Sequence, residues 1–96
     1  MNVGILKIHF RLPENLSLKG KRQVLKSIIA QLHNRFNVSV AEVAENDLWQ
    51  LATIAVCAVS NDQRFTNEVL SKVVNVVEGG RFEIEFLDYE IEIIPL

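Results

Sequence analysis

The sequence predicts an α+β domain whose elements follow the order β-α-β-β-α-β. Two segments repeat apolar residues at helical spacing, four others alternate apolar and polar residues as strands do, and polar or glycine-rich turns separate them. The chain has 96 residues, of which 49% are hydrophobic. This length and composition fit one domain, residues 1–96, with a core of its own.

The first strand is predicted from Asn2 to Leu12, and Pro13 ends it because proline cannot donate to a strand ladder. Alternate residues of this strand should face the core: Gly4, Leu6, Ile8, Phe10 and Leu12. The first helix is predicted to begin after Ser17, whose hydroxyl can cap the first turn, and to end near Asn37. Its apolar residues form one core-facing stripe: Leu18, Leu25, Ile28, Ile29, Leu32 and Phe36.

Strand two is predicted from Val38 to Ala44 and strand three from about Leu48 to Ser60, with a short polar turn at residues 45–47 between them. Strand three is apolar on both faces in its middle. We assign its bulkier face to the core, with Trp49 at the sheet end: Trp49, Leu51, Thr53, Ala55, Cys57 and Val59. Residues 60–62 cap the second helix, and Gly79 and Gly80 stop it.

The alternation of the tail changes phase after residue 86. A strand cannot bury both sets of apolar residues on one face, so we predict a bulge near Phe86 and Leu87 and a final strand from Leu87 to Ile94.

This order is the split, ferredoxin-like arrangement. Right-handed crossovers then give a four-stranded antiparallel sheet in the order 4-1-3-2, with both helices on one face. Strands one and four are therefore neighbours. Opposite charges predict the register of that pair, with Lys7 facing Glu92, His9 facing Glu90 and Arg11 facing Asp88.

Four cations crowd the first turns of helix one: Lys19, Lys21, Arg22 and Lys26. The helix dipole makes cations mildly unfavourable there, and Gly20 in the same turn lowers the helix propensity. Two interpretations stay open. The cations and the free amides of the helix start could bind phosphate, or they could form a solvated surface paired with a nearby acid such as Glu14.

Three segments carry a resemblance to a known family: LPENLSLKGKRQVLKSI, RFNVSVAEVAENDLWQLA and the following VSND. They resemble the small bacterial YlxP-like family of domains of unknown function, in order and over nearly the whole chain. The SLKxKR segment and the later D-x-W segment are the most specific parts. The resemblance implies a ferredoxin-like fold, a cytoplasmic protein, and genes that often lie among those for translation and ribosome maturation. It implies no established activity and no agreed catalytic residues.

The residues themselves offer no catalytic constellation and predict neither a cofactor nor a metal site. His9, His33 and Cys57 lie on separate elements and do not make a zinc set. A single cysteine cannot form an internal disulfide, which fits a reducing compartment. No apolar run has the length of a membrane span. The net charge of −2 gives no global attraction to nucleic acid, so RNA would have to contact a local patch.

Two functions are compatible with this sequence, and an enzyme ranks third. The first is a non-enzymatic interaction module, a homodimer or a dock for a protein partner, which uses an apolar patch on the helix-free face: Val3, Ile5, Ile54, Val56 and Ala58. The second is an RNA- or ribosome-associated factor that binds phosphate through Lys19, Lys21, Arg22 and Lys26. The predicted helix-free face of the two central strands carries no aromatic residue, which disfavours base stacking on the sheet.

Overall fold

The computed structural model describes residues 1–96 and contains the predicted order of elements. They are β1 (Asn2–Arg11), α1 (Leu18–Arg35), β2 (Ser39–Ala44), β3 (Leu51–Ser60), α2 (Gln63–Gly79) and β4 (Glu85–Pro95). The strands form one antiparallel sheet in the order β2-β3-β1-β4. This is the order 4-1-3-2 read from the other edge, so the predicted ferredoxin-like fold is confirmed.

Both helices begin at a capping side chain. The hydroxyl of Ser17 accepts a hydrogen bond from the amide of Gly20 at 3.0 Å, as predicted. Asp62 caps α2, and its carboxylate accepts hydrogen bonds from the amides of Arg64 and Phe65. Each cap satisfies amides that have no partner inside the helix. Neither helix is both long and apolar enough to cross a bilayer.

The core lies between the two helices and one face of the sheet. Fully buried side chains come from both layers: Leu6, Ile8, Phe10, Leu12, Ile28, Leu32, Ile54, Val56, Leu70, Val73 and Val77. The core face predicted for the first strand is therefore confirmed. Helix α2 lies directly against Gly4, where a β-carbon would collide with the methyl group of Thr66. The glycine thus lets the helix approach the sheet closely.

The core face predicted for strand three is wrong. The buried set is the other one, Ala52, Ile54, Val56 and Ala58. Ala52 stands opposite Phe10 and Ile54 opposite Ile8, and directly opposed residues of paired strands share a face. The large side chains of β1 and the helices already fill this side, so β3 needs only β-branched residues and alanines there.

The start of strand three also differs from the prediction. β3 begins at Leu51, and residues 45–50 form a loop rather than a three-residue turn followed by strand. Trp49 lies in this loop and is 52% exposed, so its predicted place in the core is wrong.

The bulge predicted near Phe86 and Leu87 is confirmed, because His9 pairs with Asp88 and the next residue, Phe10, pairs with Phe86. Leu87 is left without a partner in β1.

The predicted charge register of β1 and β4 is wrong, by two residues along β4 at Lys7 and His9 and by three at Arg11, which lies beyond the bulge. Its cations nevertheless face acids, with Lys7 opposite Glu90, His9 opposite Asp88 and Arg11 opposite Glu85. A second irregularity lies in the other outer strand, where Val43 of β2 is skipped in the pairing with β3.

Candidate functional site

The sheet has one face that no helix covers, which we call the open face. One half of it is apolar and uncharged: Val3, Ile5, Ala41, Val43, Leu51, Ala55, Cys57, Val59 and Ile94. The other half is charged: Lys7, His9, Arg11, Glu85, Asp88, Glu90 and Glu92. The apolar half spans neighbouring strands, so its side chains form a continuous surface.

The residues predicted for the apolar patch divide between the two faces. Val3 and Ile5 lie on the open face, opposite Val59 and Cys57. Ile54, Val56 and Ala58 do not, because they are buried beneath the helices. Side chains alternate between the two faces of a strand. Because the faces of β3 were assigned the wrong way round, the residues predicted for the patch are buried, and the residues next to them in sequence lie on the open face. The apolar surface exists, but β3 contributes Leu51, Ala55, Cys57 and Val59 to it, while Thr53 between them is buried.

Lys21, predicted to be part of a phosphate site, is buried and 1% exposed. Its Nζ donates to the carbonyl oxygens of Glu45, Leu48 and Leu51 at 2.6, 2.7 and 2.8 Å. The Glu42 carboxylate lies 2.8 Å from the same nitrogen and supplies the opposite charge. Three carbonyls match the three protons of an ammonium group, which explains why the carboxylate oxygen makes an ion pair without a hydrogen bond of its own. Lys21 is therefore unavailable to a ligand.

The other three cations of the predicted phosphate site remain on the surface. Lys19, Arg22 and Lys26 are exposed and make no ion pair. Arg22, Lys26 and His33 line one groove of about 460 Å³ between α1 and β2, with Glu42 at its side. This arrangement keeps a small basic surface on α1 but not the four-cation cluster that the sequence predicts.

Gly20 has a structural explanation that involves no anion. A β-carbon at this position would collide with the carboxamide oxygen of Asn15. The amide nitrogen of Asn15 donates to the carbonyls of Ser17 and Trp49 at 2.7 and 2.6 Å. The glycine thus makes room for a side chain that ties the start of α1 to the loop before β3.

The 45–50 loop is held from both sides. Lys21 binds its carbonyls from beneath, Asn15 binds the carbonyl of Trp49, and the backbone amide of Leu12 donates to the carbonyl of Gln50. Glu45 opens the loop with a positive φ of 57°, a conformation that side chains other than glycine adopt rarely. A loop bonded in this way displays its side chains from a fixed backbone.

A polar chain runs from this loop across the open face. The hydroxyl of Thr53 donates to the Glu45 carboxylate and contacts His9 Nδ1 at 3.0 Å, and His9 Nε2 lies 3.5 Å from Glu90. Thr53 is 3% exposed, so its hydroxyl does not reach a substrate in solution. This chain of polar contacts fastens the loop to the sheet.

The loop carries two exposed apolar side chains, Leu48 at 49% and Trp49 at 52% exposure. They line a shallow cavity of about 500 Å³ whose other walls include Arg11 and Leu51 of the open face. The cavity therefore joins the loop to the open face. Sequence reasoning missed this site because the D-x-W segment was interpreted as the start of a strand. The loop is shaped instead by Lys21, which lies 24 residues before Glu45, so no local pattern indicates it.

No group of three or more His, Cys, Asp or Glu side chains is placed to hold a metal ion.

Two solved structures have similar topology. One is LarC2, the C-terminal domain of a cyclometallase involved in the synthesis of the NPN cofactor of lactate racemase, at a TM-score of 0.47 and 14% identity. The alignment covers 98% of the present chain but only 56% of the LarC2 chain. The other is the de novo designed protein Ferredog-Diesel, at a TM-score of 0.47 and 12% identity, with 94% of this chain and 83% of the design covered.

Sequence comparison gives the closer relationships. The uncharacterized protein YlxP of Bacillus subtilis (strain 168) is 39% identical over 63 residues, which cover 66% of this chain and 68% of that protein. Residues 3–91 match the family described as "Protein of unknown function (DUF503)". The match includes both helices, β2 and β3 completely, and β1 and β4 except for their outer ends, and the chain belongs to the DUF503 family.

Proposed function

We propose that this chain is a non-enzymatic interaction module that self-associates through the apolar half of its open face. The observation that carries the proposal is the composition of that surface. Nine apolar side chains from four strands share this face, bordered by charged residues such as Lys7 opposite Ala55 and Glu92 opposite Ile5, and no element of the chain covers them. Contiguous exposed apolar surface of this kind marks contact sites.

The occupant that fits this surface best is a second copy. The centre of the patch is built from small side chains, Ala41, Ala55 and Cys57, so the backbones of two copies can approach closely there. Two-fold dimers, in which the same patch of each copy meets, are the commonest closed assemblies. The charged half lies beside the patch as a rim, and polar rims are usual around apolar contacts.

The substitution Ile5→Lys tests the proposal. Ile5 is half-buried on the open face beside Cys57 and Glu92, so a lysine there can pair with Glu92 and the fold should be retained. We expect the wild type to be a dimer by light scattering at micromolar concentration and the variant to be a monomer with the same helix content by circular dichroism.

The matched control is Phe65→Lys, which makes the same kind of change at a 56% exposed residue of α2 in the helix layer. This variant should remain a dimer. A wild-type chain that stays monomeric at high micromolar concentration overturns the proposal, and so does equal dissociation of both variants.

RNA contact through α1 is a second candidate, supported by one observation. Lys19, Arg22 and Lys26 are exposed cations without ion-pair partners near a helix start. Unpaired cations can neutralise phosphates on binding. This candidate ranks below self-association because Lys21 is bound within the fold and Gly20 is required by Asn15.

A further inference from the structure

The open face alone is small for a stable contact. Its central strands have 10 residues each, and strand rise and spacing give a projected sheet area of about 600 Å². A standard interface buries about 800 Å² per partner, and only half of the open face is apolar. A contact between two copies therefore needs additional surface next to the sheet.

The 45–50 loop supplies that surface. Leu48 and Trp49 share a cavity with Asp47, Gln50, Arg11 and Leu51. Leu51 belongs to the apolar half of the open face and Arg11 to its charged half, so the loop adjoins the open face at the end where β3 begins. An indole that is 52% exposed can still bury on the order of 100 Å². Val43, 48% exposed at the neighbouring end of β2, extends the same area.

The backbone of this loop is preorganised. Lys21 holds the carbonyls at positions 45, 48 and 51, and Asn15 holds the carbonyl of Trp49. Large apolar side chains on a fixed backbone lose little entropy when a partner covers them. Tryptophan is also the residue type most often found to dominate contact energies.

We propose that Trp49, with Leu48 beside it, is the anchor of the contact between two copies of this chain. The inference rests on the proposed self-association and adds the residue on which it depends. Each copy inserts its Trp49 at the end of the other copy's open face, so the dimer contains the anchor twice.

Trp49 is the only tryptophan in the sequence, so its fluorescence in the unmodified chain reports the anchor directly. The experiment is a dilution series from high to low micromolar concentration, followed by light scattering, emission wavelength and acrylamide quenching. We expect dissociation to coincide with a red shift of the emission and with stronger quenching. Trp49→Ala should raise the dimer Kd by about 30-fold or more, as hot-spot residues do. Leu16→Ala, which truncates a 76% exposed apolar residue before α1, should leave Kd unchanged.

The outcomes separate the two proposals. A dimer whose Trp49 is quenched equally in both states, or whose Kd is unchanged by Trp49→Ala, overturns the anchor and leaves self-association standing. A chain that is monomeric throughout overturns both. If the monomer's emission is instead quenched by a short single-stranded RNA, the indole serves nucleobase stacking and the anchor proposal is wrong.

Discussion

Among single residues, Lys21 differs most from its prediction. Its basic neighbours in sequence indicate an exposed, ligand-binding cation, but its side chain is buried and binds the protein's own backbone. A buried ammonium is costly unless a counter-charge and hydrogen-bond acceptors surround it. Glu42 and three carbonyls provide both. One side chain thereby connects α1, β2 and the loop before β3, which are distant in sequence.

Replacing this lysine should be costly. We expect Lys21→Met to lower the free energy of unfolding by about 3–5 kcal/mol, because it leaves Glu42 and three carbonyls without a partner. The measurement is urea unfolding followed by circular dichroism. Lys19→Met, at an exposed neighbour, should change stability by about 0.5 kcal/mol or less. Equal unfolding midpoints for the two variants would contradict the structural role of Lys21.

The effect of substituting Gly20 on stability should depend on the side chain at position 15. Alanine is the better helix former by up to about 1 kcal/mol. We nevertheless expect Gly20→Ala to destabilise the chain by about 1 kcal/mol, because Asn15 must move and lose two hydrogen bonds worth about 1 kcal/mol each. In an Asn15→Ala background the same substitution should stabilise. A double-mutant cycle measured by thermal unfolding gives the sign, and a stabilising Gly20→Ala in the wild type disproves the close contact.

At the scale of elements, the pairing of β1 with β4 shows why charge patterns did not determine the register. Cations recur at every second residue of β1 and acids at every second residue of β4. A shift by two residues therefore restores opposite charges and keeps every side chain on its face. The bulge at Leu87 then brings Glu85 opposite Arg11. The bulge itself was predictable, because the phase change of the apolar residues leaves no other solution.

The exposed basic residues of α1 can be tested for RNA binding. If α1 contacts RNA, replacing Lys19, Arg22 and Lys26 by glutamine should weaken binding to all sequences and flatten its salt dependence by about 0.7 in log–log slope per lost phosphate contact. Fluorescence polarisation at several salt concentrations measures both. The melting temperature should stay equal or rise slightly, since Lys19 lies in the first turn of α1, at the positive end of the helix dipole.

The control for this experiment is Lys72→Gln on α2, whose ammonium is paired with Glu68 at 3.4 Å. It should bind RNA like the wild type. Unchanged RNA binding by the triple variant would show that the basic surface of α1 is only solvated.

At the scale of the whole molecule, the order of elements and the core face of β1 followed from apolar periodicity, and the sheet order followed from the right-handed crossover rule applied to that order. Local patterns determined these features because each residue set had one plausible face. β3 was different, since both of its faces are apolar and only its partner in the sheet decides between them. The loop carrying Trp49 was hidden for a related reason. Its shape depends on Lys21, and no local pattern around Trp49 indicates that contact.

The irregularities in the two outer strands bear on whether further strands can add to the edges of the sheet at high protein concentration. Unpaired edges of a sheet are templates for further strands. Here β2 is interrupted at Val43 and β4 at Leu87, so neither edge offers an unbroken row of amides and carbonyls to a newcomer. Two β4 edges brought together would also crowd the repeated acids Asp88, Glu90 and Glu92. Both interruptions disfavour the addition of further strands at the edges of the sheet, which matters for a chain of which 49% is hydrophobic.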